Sequence, residues 1–292
     1  MERTSLKLVV IGAGVVGKAT GVGLLKLGHS VVFYDIDRRK QNQLRDEGYA
    51  VTTNLVEAIA ASDASFICVP TPLKNGTLDT RFVLNVARQV GMAFGKSKSY
   101  RVVVIRSTMV PKTARLKVIP VIENFSGRSA GDDFGVCVNP EFSVENRIVQ
   151  QFLNPDRIVI GGLDDRSARV VRSIFARARA PIIQMSLEEA EFVKCAANSF
   201  LSCKISFFNE MWLVANKLKL NNERVAKAVA MDKRIGFYGT RGGWAFGGSC
   251  LVKDGTAFRN YVRQTVGTSD ILTATFRIND KIRRLKSDHT RR

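Results

Sequence analysis

No stretch of this sequence approaches the roughly eighteen consecutive apolar residues that a membrane-spanning helix requires. The apolar run nearest the N-terminus, Leu8 to Ile11, meets glycine at once and reads as a strand, not as a signal peptide. No CxxC pair occurs either. The five cysteines, Cys68, Cys137, Cys195, Cys203 and Cys250, are odd in number and scattered, which argues against a disulfide framework or a zinc site and points to a reducing, cytoplasmic setting. Acidic residues are scarce: 26 of them against 45 Lys and Arg leave a formal charge of +19. The basic residues are spread along the chain, with the densest run at Arg283 to Lys286 plus Arg291 and Arg292, and no nucleic-acid module accompanies them. A solvated surface, or a positive field suited to an anionic substrate, is therefore preferred to nucleic-acid binding.

What is present suffices for one large or two ordinary domains, since the 292 residues are 45% hydrophobic. Neither an internal repeat nor a low-complexity linker divides them. Up to about Pro181, short β-branched runs alternate with amphipathic segments, the pattern of a parallel sheet flanked by helices. The runs are Lys7–Ile11, Ser30–Tyr34, Ala64–Val69, Arg101–Arg106, Gly135–Val138, Arg157–Ile160 and Pro181–Gln184. Helical patterns lie between them at Val16–Leu27, Arg38–Glu47, Leu55–Ala61, Thr80–Phe94 and Ser167–Ala178. From Leu187 the character changes. Glu188 to Lys219 has apolar residues at helical spacing and no Pro or Gly, which predicts one long helix or two nearly continuous ones. A glycine-rich loop at 236–248 precedes two more helical stretches, Asp254–Gln264 and Ser269–Lys286.

Gly12-Ala13-Gly14-Val15-Val16-Gly17 follows the first strand and opens the first helix. The first glycine permits a tight turn, the second lets a pyrophosphate approach main-chain N–H groups, and the third allows close helix–strand packing. Asp35 ends the second strand, where its carboxylate can accept both ribose hydroxyls of adenosine and repel the 2′-phosphate of NADP. The expected cofactor is NAD, with Arg38, Arg39 and Lys40 leaving a small opening for NADP. The fold expected is an α/β Rossmann domain, a doubly wound parallel sheet over residues 1–185. An all-helical domain over 186–292 follows, its long helix pairing two chains and the active site lying between the domains. Cys250 sits in a glycine-rich turn directly before a helix expected to begin at Lys253 or Asp254, a position that favours a thiolate. With Lys253 and Asp254 close by, it is the candidate nucleophile, and the other four cysteines read as small buried residues. Lys194 and Asn198 are four apart, so on a helix they share a face from which both can reach an oxyanion.

Four further segments together resemble the UDP-glucose/GDP-mannose dehydrogenase family: Pro70-Thr71-Pro72, Ser107-Thr108 with Pro111, Asn139-Pro140-Glu141-Phe142 with Glu145, and Gly247-Gly248-Ser249-Cys250 followed by Lys253-Asp254. Glu191 to Lys194 with Asn198, then Lys204 to Glu210, also look like the family's substrate-facing helix, so the resemblance runs from Lys7 to about Asn279. It implies that NAD oxidises the C6 alcohol of a nucleotide sugar to an aldehyde. Cys250 then holds the carbon as a thiohemiacetal, and a second oxidation gives a thioester that water hydrolyses, as in routes to polysaccharide. It implies dinucleotide contacts from Gly12, Gly14, Val15, Val16, Gly17, Asp35, Lys40, Pro70, Thr71, Thr108 and Lys253. Asp254 and Thr108 match residues that handle the catalytic water or base, and Glu141 one that does acid–base work on the thioester. Glu145, Lys194, Asn198, Arg234 and Gly247 match residues at the substrate, the arginine sometimes reaching across a dimer.

Two departures accompany this resemblance. The connection after the second Rossmann helix is short, Gly48-Tyr49-Ala50 leading at once into Val51-Thr52-Thr53. The family also continues into a second Rossmann-like domain that holds much of the substrate's nucleotide half, whereas this sequence stops at Arg292. The expectation is NAD binding with weak or absent sugar-nucleotide turnover by the chain alone, a separate chain supplying that domain. Two alternatives stay open: a β-hydroxyacid-dehydrogenase-like oxidoreductase acting on a small substrate, and a non-catalytic NAD-binding subunit.

Overall fold

The computed structural model describes residues 5–96, 99–143 and 148–289. The chain divides into two compact units, Met1–Pro72 with Asp79–Lys194, and Leu73–Leu78 with Cys195–Arg292.

The first unit is built on a sheet whose strands are β1 (Lys7–Ile11), β2 (Ser30–Tyr34) and β3 (Ala64–Ile67), and, past a hairpin of β4 (Leu73–Lys74) and β5 (Thr77–Leu78), β6 (Val102–Ile105), β7 (Gly135–Val138), β8 (Ile158–Gly162) and β9 (Ile182–Ser186). Their spatial order is β2-β1-β3-β6-β7-β8-β9. Between β1 and β3, paired in parallel with Leu8 opposite Ala64, the strand order reverses. The C-terminal edge of that reversal is where open α/β sheets take their ligands. Alternate residues bury on opposite faces. Val9, Ile11, Ile67, Val103 and Ile105 pack on one side, against the helices α3 (Leu55–Ala60), α4 (Arg81–Gly95) and α5 (Ile119–Ser126). Leu8, Val10, Phe66, Val104 and Ile160 pack on the other, against α1 (Val15–Lys26), α6 (Ile148–Leu153) and α7 (Asp165–Ile174). Burial on both faces explains the near-continuous β-branched runs.

The sheet departs from the wholly parallel arrangement expected. β8 runs antiparallel to β7, with Cys137 opposite Gly162, and β9 then runs parallel to β8. A parallel return needs a crossover along the sheet face. Here the connection folds α6 onto α1 instead, so close that a Cβ on Gly23 would lie 2.0 Å from the Phe152 ring. The chain therefore re-enters the sheet beside the end of β7. α2 (Arg38–Asp46) begins at the N-cap Asp37, whose side chain accepts from the Arg39 N–H, and α7 begins with a capping box between Asp164 and Ser167. A π-helical turn, Ala114–Val118, leads into α5.

The second unit contains most of α8 (Leu187–Lys217), then α9 (Asn222–Ala230), α10 (Ser249–Val266) and α11 (Asp270–His289). Phe246 and Phe276 meet edge to face at 5.6 Å in its core. The β4–β5 hairpin belongs to this unit. It turns through Asn75 and Gly76, both at positive φ, and the Asn260 side-chain amide on α10 donates to the Gly76 carbonyl at 2.8 Å. α10 begins at Ser249, ahead of the Lys253 or Asp254 that the sequence suggests, with Gly248 at φ 75° as its N-cap. Cys250 thus lies inside the first helical turn and not in the turn before it. No helix among the described residues is long and apolar enough to cross a membrane.

Candidate functional site

The glycine loop lies at the C-terminal end of β1. Gly12 adopts φ 97°, and a Cβ there would sit 2.8 Å from the Cys68 carbonyl oxygen on the adjoining strand's exit, while one on Gly17 would sit 1.7 Å from the Gly12 oxygen. Neither position admits a side chain. Gly14 differs: it is the N-cap of α1, no side chain caps the helix, and a Cβ there would meet nothing within 4 Å. The main-chain N–H groups of the first turn, which Val15 and Val16 open, therefore face open space, and this fits a dinucleotide pyrophosphate. Asp35 is buried, its Oδ2 accepting the Ala13 N–H at 2.6 Å and its Oδ1 the Asp37 N–H at 2.9 Å. Each oxygen keeps a lone pair for a ribose hydroxyl. Lys40 Nζ stands 3.6 Å from Oδ2.

The loops after β3 and β6 are tied together at the same edge of the sheet. The buried Thr71 hydroxyl donates to the Thr108 carbonyl at 2.9 Å, and the Ser107 hydroxyl to the Val69 carbonyl at 2.6 Å. Pro70 is exposed beside them. After β7, Asn139 donates to the Val159 carbonyl at 2.7 Å and accepts from the buried Arg106 guanidinium, which lies over the Phe152 ring. A cavity within this unit is lined by Arg106, Asn139 and Phe152 together with Glu141, Phe142 and Arg157. The Lys194 ammonium donates to the Glu141 carbonyl and lies 5.4 Å from the Phe142 ring centroid. One turn earlier, buried Glu191 accepts the Ala114 N–H at 2.8 Å. Burial, only partly offset by the N–H groups of Ala114, Lys112 and Thr113, pushes its carboxyl up to about 8. Glu145 lies outside the described residues.

In the second unit, Asn198 on α8 donates to Asp254 Oδ2 at 2.8 Å, and Lys253 Nζ donates to Oδ1 at 2.5 Å. Asp254 is only 1% exposed. Cys250 precedes it by four residues on α10, so the thiol and the carboxylate share a helix face, with the exposed thiol toward the helix N-terminus. Burial pushes the Cys68 thiol up to about 11 and that of Cys137 up to about 12. Gly247 is exposed just before the helix. The structure does not bring Arg234 to this group within the unit. Its side chain is 89% exposed and pairs with Asp232 at 2.7 Å.

Sequence reasoning missed Arg106, and it passed over Asn209 and Asn279 as contact residues. Both asparagines are fully buried and hold the main chain of Trp244 and Phe246. Their signal is a carboxamide at a core position of an apolar helix face, which must find partners once buried.

Residues 41–179 match the NAD binding domain of the UDP-glucose/GDP-mannose dehydrogenase family, and residues 188–281 match its central domain. The GDP-mannose 6-dehydrogenase of Azotobacter vinelandii is 36% identical over 275 residues, which cover 86% of this chain and 63% of that protein. The UDP-glucose 6-dehydrogenase AglM of Haloferax volcanii is 33% identical, over 94% of this chain and 70% of that one. Among solved structures, a UDP-glucose dehydrogenase from the hyperthermophilic archaeon Pyrobaculum islandicum superposes with a TM-score of 0.91 at 36% identity, covering 96% of this chain and 69% of that one. The chain thus spans a little under two thirds of the length of the GDP-mannose dehydrogenase, 63%. With both family domains matched in order and relatives at this level of identity, the chain belongs to the UDP-glucose/GDP-mannose dehydrogenase family.

Proposed function

We propose that the chain carries out NAD-dependent oxidation of a nucleotide sugar from the C6 alcohol to the acid, with Cys250 as the covalent nucleophile. One observation supports this most: a buried carboxylate, Asp254, held by Asn198 and Lys253 one helical turn from an exposed thiol. Such a set is poised for proton transfer beside a nucleophile. A dinucleotide held at the Gly12–Gly17 cradle would accept one hydride from C6, so two NAD molecules bound in turn would take the two hydrides that leave.

The rest of the chemistry falls to side chains of this chain. Asp254 accepts the proton of the sugar hydroxyl, releases it to solvent, and later accepts that of the attacking water, with Thr108 orienting the water. The Cys250 thiolate adds to the aldehyde carbon, forming the C–S bond as the carbonyl electron pair moves onto oxygen. Lys194 and Asn198, one turn apart on α8, each keep N–H donors beyond the bonds described above, and these stabilise that oxyanion. Once the second hydride has left, water adds to the thioester and the thiolate departs, while Glu141 serves the proton transfers of hydrolysis. Glu145, Arg234 and Gly247 are proposed to contact the sugar nucleotide.

The test is NADH absorbance with the purified chain, NAD and a panel of UDP- and GDP-sugars. Any turnover is expected to give two NADH per sugar oxidised and to be abolished in Cys250→Ala. NADH formation that Cys250→Ala leaves unchanged overturns the reading.

A further inference from the structure

The segment leading into Cys250 is held by side chains, not by a strand partner. Asn209, on α8, donates from Nδ2 to the Trp244 carbonyl at 2.9 Å and accepts the Trp244 N–H on Oδ1 at 3.1 Å. Asn279, on α11, does the same for Phe246: Oδ1 accepts its N–H at 2.8 Å and Nδ2 donates to its carbonyl at 3.1 Å. Both carboxamides are fully buried. Two residues of the loop, spaced two apart, thus have both main-chain groups satisfied by a single side chain each, the pairing that a neighbouring strand would otherwise provide.

The rest of the loop is fitted to the same helix. A Cβ on Gly242 would lie 2.4 Å from Trp212 Cβ and 2.8 Å from the Phe208 carbonyl, so only glycine lets the loop approach α8 there. Further back, Lys204 donates to the carbonyls of Ile235 at 2.6 Å and Gly236 at 3.0 Å. Only Gly247 and Gly248 separate the Phe246 clamp from the first turn of α10, and no side chain caps that helix. Gly248, at φ 75°, makes the bend by which the clamped segment enters that turn. The orientation of the turn therefore depends on where Phe246 is held.

We infer that Asn209 and Asn279 are positioning residues for the Cys250 thiol, acting through the main chain of Trp244 and Phe246. The inference rests on the proposed role of Cys250 as nucleophile. A carboxylate in place of either amide keeps the shape but presents an oxygen to a carbonyl oxygen, so the clamp opens at one end. The consequence is a change in how the thiol meets the N–H groups of the first turn, and hence in its reactivity as a function of pH.

The experiment follows alkylation of Cys250 by iodoacetamide in the full chain, read by mass mapping of its peptide, across pH 6 to 9 for wild type, Asn279→Asp and Asn209→Asp. Thermal melts report folding. The expected result is a Cys250 alkylation rate at pH 7 altered by about threefold or more, with a displaced pH profile, in variants that still melt cooperatively. Folded variants whose Cys250 rates and profile match wild type overturn the inference. Should Asn279→Asp fail to fold, Asn209→Asp, whose clamp lies farther from the thiol, decides between the same two outcomes. Alkylation does not depend on turnover. A displaced profile together with NADH formation that Cys250→Ala leaves unchanged supports the positioning role and counts against the proposed function, and unchanged profiles in an enzyme whose turnover Cys250→Ala abolishes do the reverse.

Discussion

The carboxamide of Asn198 and the carboxylate of Asp254 meet at 2.8 Å across 56 residues of sequence, joining α8 to α10 beneath the first turn that carries Cys250. Asp254 is buried, and Lys253 is the other donor described for it. Asn198→Ala is expected to lower stability by about 1–3 kcal/mol, the cost of leaving a buried acceptor without its donor. Asn198→Asp sets two carboxylates against each other and is expected to cost more. Chemical denaturation ranks the two, and an alanine variant as stable as wild type would remove the bond from the account of this site.

Gly14 and Gly17 separate binding from folding. A methyl group at Gly14 meets open space, so Gly14→Ala is expected to leave the melting temperature of the free chain within about a degree while weakening NAD binding tenfold or more by standing before the helix N-terminus. Gly17→Ala drives a methyl into the Gly12 carbonyl and is expected to destabilise the fold itself by several kcal/mol. Calorimetric titration alongside melting distinguishes the two effects.

Asp35 is expected to make NAD bind more tightly than NADP, because its carboxylate, already positioned by the Ala13 and Asp37 N–H groups, repels a 2′-phosphate. Asp35→Ala should narrow the difference. Titration with both dinucleotides measures it, and tighter NADP binding by wild type would count against this assignment.

Glu191 carries a pH dependence of stability. Its carboxyl, raised by burial from the ordinary 4.5 to about 8, holds in the folded chain a proton that the unfolded chain has released. Its contribution is therefore fully present below about 4.5 and is lost as pH rises to about 8. Glu191→Gln does not titrate. Between pH 5 and 8, wild type is expected to lose roughly 5–10 °C of melting temperature more than the glutamine variant does. Parallel slopes would show that Glu191 is already ionised in the folded state.

Phe200, Phe207, Met211 and Val214 are exposed on α8 at successive intervals of seven, four and three residues, which places them in one stripe that Leu218, just past the helix, extends. An apolar stripe of this length needs a partner, and a second copy of the same helix supplies a self-complementary one. The chain is expected to sediment as a homodimer at micromolar concentration, and Phe207→Asp with Val214→Asp to sediment as a monomer. A monomeric wild type would rule out this pairing.

The sequence by itself determined what depends on neighbouring residues. Short β-branched runs marked the strands at Lys7–Ile11, Ser30–Tyr34 and Gly135–Val138, and Gly12, Gly14 and Gly17 with Asp35 marked the dinucleotide cradle because each acts within one strand-turn-helix. Lys194 and Asn198 were legible because helical spacing puts residues four apart on one face, whereas Cys250 was marked by its glycine-rich turn, and only the observed start of α10 at Ser249 puts it on one helix face with Asp254. Only the tertiary structure decided the rest. Whether β8 runs with or against β7 depends on α6 docking on α1, and no local pattern in Ile158–Gly162 distinguishes the two directions. The Asn75–Gly76 hairpin reads as a turn, but its place beside α10 comes from Asn260, 184 residues away. Asn209, Asn279 and Glu191 look in sequence like ordinary polar positions on helices. Burial decides otherwise, because a carboxamide or carboxyl removed from water must take its partners from whatever main chain packs against it, and that chain is chosen by the fold.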